Sequence, residues 1–311
     1  KIWGGIVHKG FIDQGFGKRN PAPWRAGANE NTVIVLEDDV KIEGQALAKG
    51  RYGLFIAYDP AESILIFSKK TDGWGSFFYD EKEDALRVKV KPYRIEKMVE
   101  LLKYEFMAQT AAASTITLSW ENLAIPFTIE VDYLRQQYEA LLAESQNPGG
   151  FTSQGLIAAA NWTIQNNYRL EKGLEWATLA SGSNFPGDPN SFTAFTTKAT
   201  LLEKLNRPDE AAATIKTALP LGSIQQLQQY GRQLLTAKNT AAAFIVFQYN
   251  FDKHPGNFMA VTGMVRALSA KGDYAKAGEF AQKAILLAPN EAGKAAVEAM
   301  LTKLKEGKDI N

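Results

Sequence analysis

Between Phe195 and Pro289 the chain repeats itself in step, and no other feature narrows its possible folds so far. One copy is marked by Met264, Leu268, Gly272-Asp273-Tyr274, Ala277, Ala281, Ala284 and Pro289. Shifted back 34 residues, the register holds at Leu227, Tyr230-Gly231, Leu234, Ala243, Phe247 and Pro255; shifted back 32 more, it holds at Phe195, Ala199, Leu202, Ala211, Ile215 and Ala218. A weaker first copy carries Ile164, Gly173 and Ala177. A period of this length, with apolar residues at helical spacing, belongs to stacked helical hairpins that bury their faces only against their neighbours. The stretch Glu291 to Glu306 keeps Ala295, Val297, Met300, Leu301 and Leu304 on one side and Lys303, Lys305 and Glu306 on the other, which predicts a polar capping helix.

These spacings resemble the tetratricopeptide repeat, in which small residues let two antiparallel helices approach and a proline follows the second. Val265 and Asn250 depart from it, standing where Gly or Ala is usual. The resemblance implies a concave surface that binds a peptide or protein, and Asn166, Tyr230 and Arg266 are the residues expected to face it from the inner helices.

The first half reads differently. Leu86, Val88 and Val90 alternate with Arg87, Lys89 and Lys91; Ile116, Leu118 and Trp120 form a second alternating run, and Phe127, Ile129 and Val131 a third. That period of two predicts half-buried strands. The almost wholly apolar runs at 32–36, 54–58 and 64–67 predict strands covered on both faces. Turn residues at Asp38-Asp39, Glu43-Gly44, Lys49-Gly50, Asp59-Pro60 and Asp72-Gly73 separate the runs, and no helix of crossover length intervenes. The expected architecture is an α+β multidomain chain: an antiparallel, jelly-roll-like β-sandwich over 1–131, a connector helix capped by Asp132 and a linker over 132–150, and an all-α tetratricopeptide-like solenoid over 151–311.

Composition excludes several function classes. The chain has no cysteine, so disulfides, thiolate nucleophiles and thiolate metal sites are absent. Up to Gly150 there are 18 basic and 21 acidic residues, and 17 and 13 after it, so neither half offers the clustered positive face of a nucleic-acid binder. No apolar run approaches the roughly 20 residues of a membrane span. The chain opens at Lys1 rather than Met, which suggests a removed leader.

No catalytic motif is recognisable, so a binding protein without cofactor or metal is favoured over an enzyme. The two histidines, His8 and His254, have no acidic spacing that would suggest a zinc site. Gly15-Phe16-Gly17 before Lys18-Arg19 lacks the strand-then-helix context of a phosphate cradle, and Asp38-Asp39 lacks the spaced oxygens of a calcium loop. One polar and aromatic cluster stands out. Trp24, Arg25, Asn29 and Glu30 lie within one loop-like stretch, and Trp74 and Tyr79 again sit beside turn residues. Such a set suits sugar stacking or peptide-end recognition; equally, Arg25 could pair with Glu30 to fix a strand entrance over tryptophans that plug the core.

The strings Trp24-Arg25-Ala26-Gly27-Ala28-Asn29-Glu30 and Gly50-Arg51-Tyr52-Gly53-Leu54-Phe55, with Val40 to Gly44, Trp74-Gly75, Tyr79 and Leu118 to Phe127, resemble the bacterial domain-of-unknown-function family 2911. The resemblance covers nearly all of the first 130 residues. It implies an exported protein of the periplasm, cell envelope or exterior, often with helical repeats after the domain, and it brings no assigned activity. The expected function is an adaptor whose repeats bind a protein or peptide; the alternative is a carbohydrate-binding or carbohydrate-processing sandwich assembled through its repeats.

Overall fold

The computed structural model describes residues 2–18 and 20–311, so Lys1 and Arg19 lie outside it. Among the described residues eight strands precede ten α-helices, and the chain divides into two compact units, residues 1–137 and 138–311.

The first unit is two antiparallel four-stranded sheets packed face to face. One has the order β1 (Thr32–Leu36), β4 (Gly50–Ala57), β5 (Ser63–Ser68), β6 (Asp84–Val90); the other has β3 (Gln45–Leu47), β2 (Val40–Ile42), β8 (Ala113–Val131), β7 (Tyr93–Met107). The chain passes between the sheets after β1, β3 and β6. Side chains from both inner faces build one core, with Leu54, Ile56, Leu65, Phe67 and Val88 meeting Ile42, Ile116, Leu118, Ile125 and Phe127. Glu43 and Gly44, both at positive φ, close the β2–β3 hairpin in the conformation a two-residue turn demands.

The apolar runs in β4 and β5 are buried on both faces. On the outer side, Phe55 and Ile66 are covered by Phe11, Ala22 and Tyr79. The run at 32–36 is not. It forms β1, an edge strand with a single neighbour, and Val35 is exposed. The runs at 116–120 and 127–131 prove to be two ends of one strand, β8, with Glu121 at positive φ between them. β7 is an edge of the second sheet, and its pairing with β8 shifts register twice, between Arg94 and Val99 and again between Val99 and Lys103.

Helix α1 (Tyr133–Glu144) contains the division between the units. Asp132 Oδ1 accepts from the Arg135 N–H at 3.0 Å, capping its start, and Tyr138, Leu141 and Leu142 pack on the helical core. The second unit then runs in hairpins: α2 (Ser153–Asn166) with α3 (Leu170–Ala180), α4 (Phe192–Lys204) with α5 (Pro208–Ala218), α6 (Ile224–Thr236) with α7 (Thr240–Lys253), α8 (Phe258–Ala270) with α9 (Tyr274–Leu286), and α10 (Glu291–Lys305) last. Thr152, Ser191, Ser223, Asn239, Asn257, Asp273 and Asn290 each accept a backbone N–H at a helix start, which fixes the boundaries locally.

The two departures from the repeat pattern have physical reasons. Asn250 is fully buried, but its amide donates to the Ile224 carbonyl at 3.0 Å, tying α7 to the start of α6. Val265 is accommodated because the close approach is made two residues earlier, at Gly263. A Cβ there would stand 2.5 Å from the Phe247 ring, and one on Gly231 would meet the same ring at the same distance. Phe247 thus fills the seam between two successive hairpins.

Candidate functional site

In the first unit the structure gathers part of the expected cluster. Asn29, at positive φ, accepts from the Gly75 N–H through its carbonyl at 3.1 Å, and Glu30 forms a β-bridge with Trp74. The Arg25 guanidinium lies over Gly75, close enough that a Cβ on that glycine would be 3.0 Å from Nη1. Among the described residues no ion pair joins Arg25 to Glu30, and Arg25 Nε is buried without a partner.

Trp24 and Tyr79 are not part of that surface. Trp24 is 6% exposed; it stacks on Trp120 at 6.2 Å, meets Trp3 edge-on at 5.9 Å, and exchanges backbone hydrogen bonds with Ile56. Tyr79 is 4% exposed and belongs to the outer cover of β4 and β5. Its hydroxyl donates to Asp84 Oδ2 at 2.7 Å and accepts from Arg87 Nη2 at 2.9 Å, and burial raises its pKa well above the usual tyrosine value. An aromatic platform for a sugar would need rings open to solvent. Trp74, 56% exposed, is the one ring of the three that is open. Trp74→Ala is therefore expected to change stability by no more than about 0.5 kcal/mol, read from the urea midpoint.

Of the remaining polar candidates of this unit, Asp38, Asp39 and Lys18 are structural ties. Asp39 Oδ1 accepts from the Lys49 N–H at 2.9 Å and Asp38 Oδ2 from Gln136 Nε2 at 2.8 Å. Gly17 packs against Phe77, and Lys18 pairs with Asp80 at 2.7 Å. His8 is half-buried, which lowers its pKa against the opposing effect of the Lys9 and Gly10 backbone. Among the described residues no group of three His, Asp or Glu side chains could hold a metal ion, and no helix is long and apolar enough to cross a membrane.

In the second unit a cavity of about 650 Å³ opens along the first helices of three successive hairpins. Asn161 and Ile164 of α2, Thr193, Thr196, Thr197, Thr200, Glu203 and Lys204 of α4, and Tyr230 and Gln233 of α6 line it. Of the three expected groove residues, Tyr230 lies in its wall. Asn166 turns back to donate to the Trp162 carbonyl at 2.9 Å, and Arg266 belongs to α8, beyond the lining.

The hydrogen-bond state of this lining follows from helix chemistry. Thr196 and Thr200 spend their hydroxyl protons on the carbonyls of Thr193 and Thr196, at 3.1 and 2.9 Å, so each oxygen retains lone pairs for an outside donor. Glu203 Oε1 already accepts from Asn239 Nδ2 at 3.0 Å. Tyr230 is nearly fully buried, and among the described residues its hydroxyl has no hydrogen-bond partner, with Thr200 beside it outside bonding geometry. Burial, and then the charge of Glu203, hold its phenol pKa well above the ordinary value, so it remains a donor at neutral pH. The threonines carried a readable signal: 193, 196, 197 and 200 repeat at i, i+3, i+4 and i+7, a stripe on one helical face.

Hairpin pairing, repeat length and the glycine–phenylalanine seam make the second unit a solenoid of the tetratricopeptide type. Residues 1–129 match the model of a family described as "Protein of unknown function (DUF2911)". No curated protein matches the chain. Several solved structures are similar over about half of it. A tetratricopeptide repeat protein from Parabacteroides merdae is 18% identical, with a TM-score of 0.35 over 56% of this chain and 70% of that one. YrrB, described as a TPR protein with an unusual peptide-binding site, is 16% identical, with a TM-score of 0.32 over 55% of this chain and 91% of its own. In the APC/C Cut9–Hcn1 hetero-tetramer the matched chain is 18% identical, with a TM-score of 0.34 over 55% of this chain, which spans only 33% of that chain.

Proposed function

We propose that the protein is a binding or adaptor protein whose helical unit grips an extended segment of a partner protein along the inner face formed by α2, α4 and α6. The observation that carries this reading is the lining of the cavity. Threonine oxygens with free lone pairs, the Asn161 and Gln233 amides and the Tyr230 hydroxyl suit the alternating N–H and C=O groups of a peptide backbone. One acid and one base, Glu203 and Lys204, leave the wall with little net charge, which fits backbone recognition more than a strongly charged ligand. The location outside the cytoplasm is part of the same proposal and rests on the family resemblance; fractionation of cells producing the native gene product tests it.

Selection of binding peptides from a random displayed library, with the full chain as bait, tests the groove directly. Peptides that bind wild type are expected to lose at least tenfold in affinity with Thr200→Arg, which fills the cavity, and severalfold with Tyr230→Phe, which removes a single hydrogen bond of about 1 kcal/mol. Selected peptides that bind the folded Thr200→Arg variant as tightly as wild type would overturn the assignment.

A further inference from the structure

After α10 the chain folds back on the last hairpin. Ser269 Oγ donates to Asp309 Oδ1 at 2.6 Å, and the same oxygen accepts from the Ile310 N–H at 3.1 Å. Asn311 Nδ2 donates to the Arg266 carbonyl at 3.1 Å. The Ile310 side chain packs against the helical core. One buried hydroxyl thus reads a carboxylate and the following amide, while the next aliphatic side chain is taken up by apolar surface.

The repeat register shows where this happens. Stepping back 34 and then 32 residues takes Arg266 to Arg232 and Thr200, and Ser269 to Leu235 and Glu203. Thr200 and Glu203 line the cavity. Residues 309–311 therefore lie on the same row of the inner face, two hairpins along. Arg232 opposes the charge of the half-buried Arg266 and Asp309 favours it. Among the described residues neither arginine is in an ion pair, so this stretch carries positive potential that one carboxylate only partly offsets.

We propose that the α8 end of the inner face is a second recognition site, for a partner segment that presents a carboxylate followed by an aliphatic side chain, and that residues 309–311 occupy it in cis. This rests on the inner face being a peptide-binding surface, but it names a different subsite and ligand chemistry. The cis segment sits at high effective concentration, so an incoming segment of equal intrinsic affinity competes poorly until it is displaced. The site is then a threshold: weak ligands are refused, and a partner must bring either a better acidic–aliphatic pair or additional contacts in the cavity.

The test uses the full chain and a fluorescein-labelled peptide with the sequence of residues 303–311, read by anisotropy. The double variant Asp309→Ser/Ile310→Ser is expected to bind this peptide at least about tenfold tighter than wild type. Adding Arg266→Glu is expected to abolish the gain, and a peptide with lysine at the Asp309 position is expected not to bind. Should the double variant fail to fold by circular dichroism, Asp309→Asn gives the same comparison. Equal binding by wild type and the folded variant, binding that survives Arg266→Glu, or no binding to the folded variant would overturn the proposal. Thr200→Arg, made in the freed background, is expected to leave this peptide's affinity unchanged, so failure of the cavity and failure of this site are read separately.

Discussion

Phe247→Ala is expected to cost the helical unit about 3–5 kcal/mol, the range for removing a fully buried aromatic ring and leaving a cavity. Phe247 has no exposed surface and is wedged between Gly231 of its own hairpin and Gly263 of the next. Both contacts vanish together, so the damage falls on the seam that couples α6 and α7 to α8. In a solenoid each repeat leans on its neighbours alone. The melting transition is expected to fall by roughly 10 °C and to broaden as the array separates there. Gly231→Ala approaches the same contact from the other side. Its Cβ would overlap the ring, a penalty of about 1–3 kcal/mol that shrinks when Phe247 is also leucine. Additive penalties in the double variant would show that the ring and the glycine do not share one contact.

Arg87→Met is expected to cost the β unit about 2 kcal/mol at pH 7, less than for a wholly buried pair because the guanidinium is more than a third exposed. Asp84 is the buried member, and its Oδ2 accepts from Arg87 Nε at 2.6 Å and from Tyr79 at 2.7 Å. Burial raises the Asp84 pKa, and Tyr79 and Arg87 offset this only in part. A carboxyl whose folded pKa lies above its unfolded value binds its proton more readily in the folded chain. Its contribution is favourable at low pH and is lost as pH rises through the folded pKa. Removing Arg87 raises that pKa further, so the penalty is expected to be greatest at neutral pH and to shrink on acidification. Urea titrations of wild type and variant at pH 7 and pH 4 measure it, and Asp84→Asn in the Arg87→Met background is expected to recover part of the loss. A penalty independent of pH would rule out the ionised Asp84 as its source.

The hairpin array was legible because its determinants are local and periodic: a cap residue at most helix starts, though not at those of α3 and α5, and small and large residues at fixed offsets. The sandwich was legible only where alternation runs unbroken. In β8 the inward face is carried by Ile116 and Leu118 before Glu121 and by Ile125 and Phe127 after it, so one residue out of step reverses the parity and one strand reads as two. β7 reads as nothing regular, because its two register shifts scramble the alternation of Ile95, Val99, Leu102 and Tyr104. Two rings of the candidate cluster were illegible for a different reason. Trp24 is buried by Trp120 and Trp3, and Tyr79 by Phe11 and Phe55, partners far away in the chain that no local pattern announces. The threonine stripe of α4 was in plain view but is compatible with any exposed helix until the neighbouring hairpins show which face they enclose.

β7 also bears on how this protein behaves when crowded. Among the described residues no further strand pairs with its outer edge, and Met98, Leu101 and Phe106 stand exposed along it. A straight strand of that composition would template the addition of another chain. The register shifts bend and twist the strand, so an incoming segment could match its donors for only a few residues before losing step. Arg94, Glu96, Lys97, Glu100, Lys103 and Glu105 add alternating charges that a repeated copy would have to align. Irregularity here is a form of solubility: the distortion that hides the strand from a reader of the sequence also hides it from other copies of the protein.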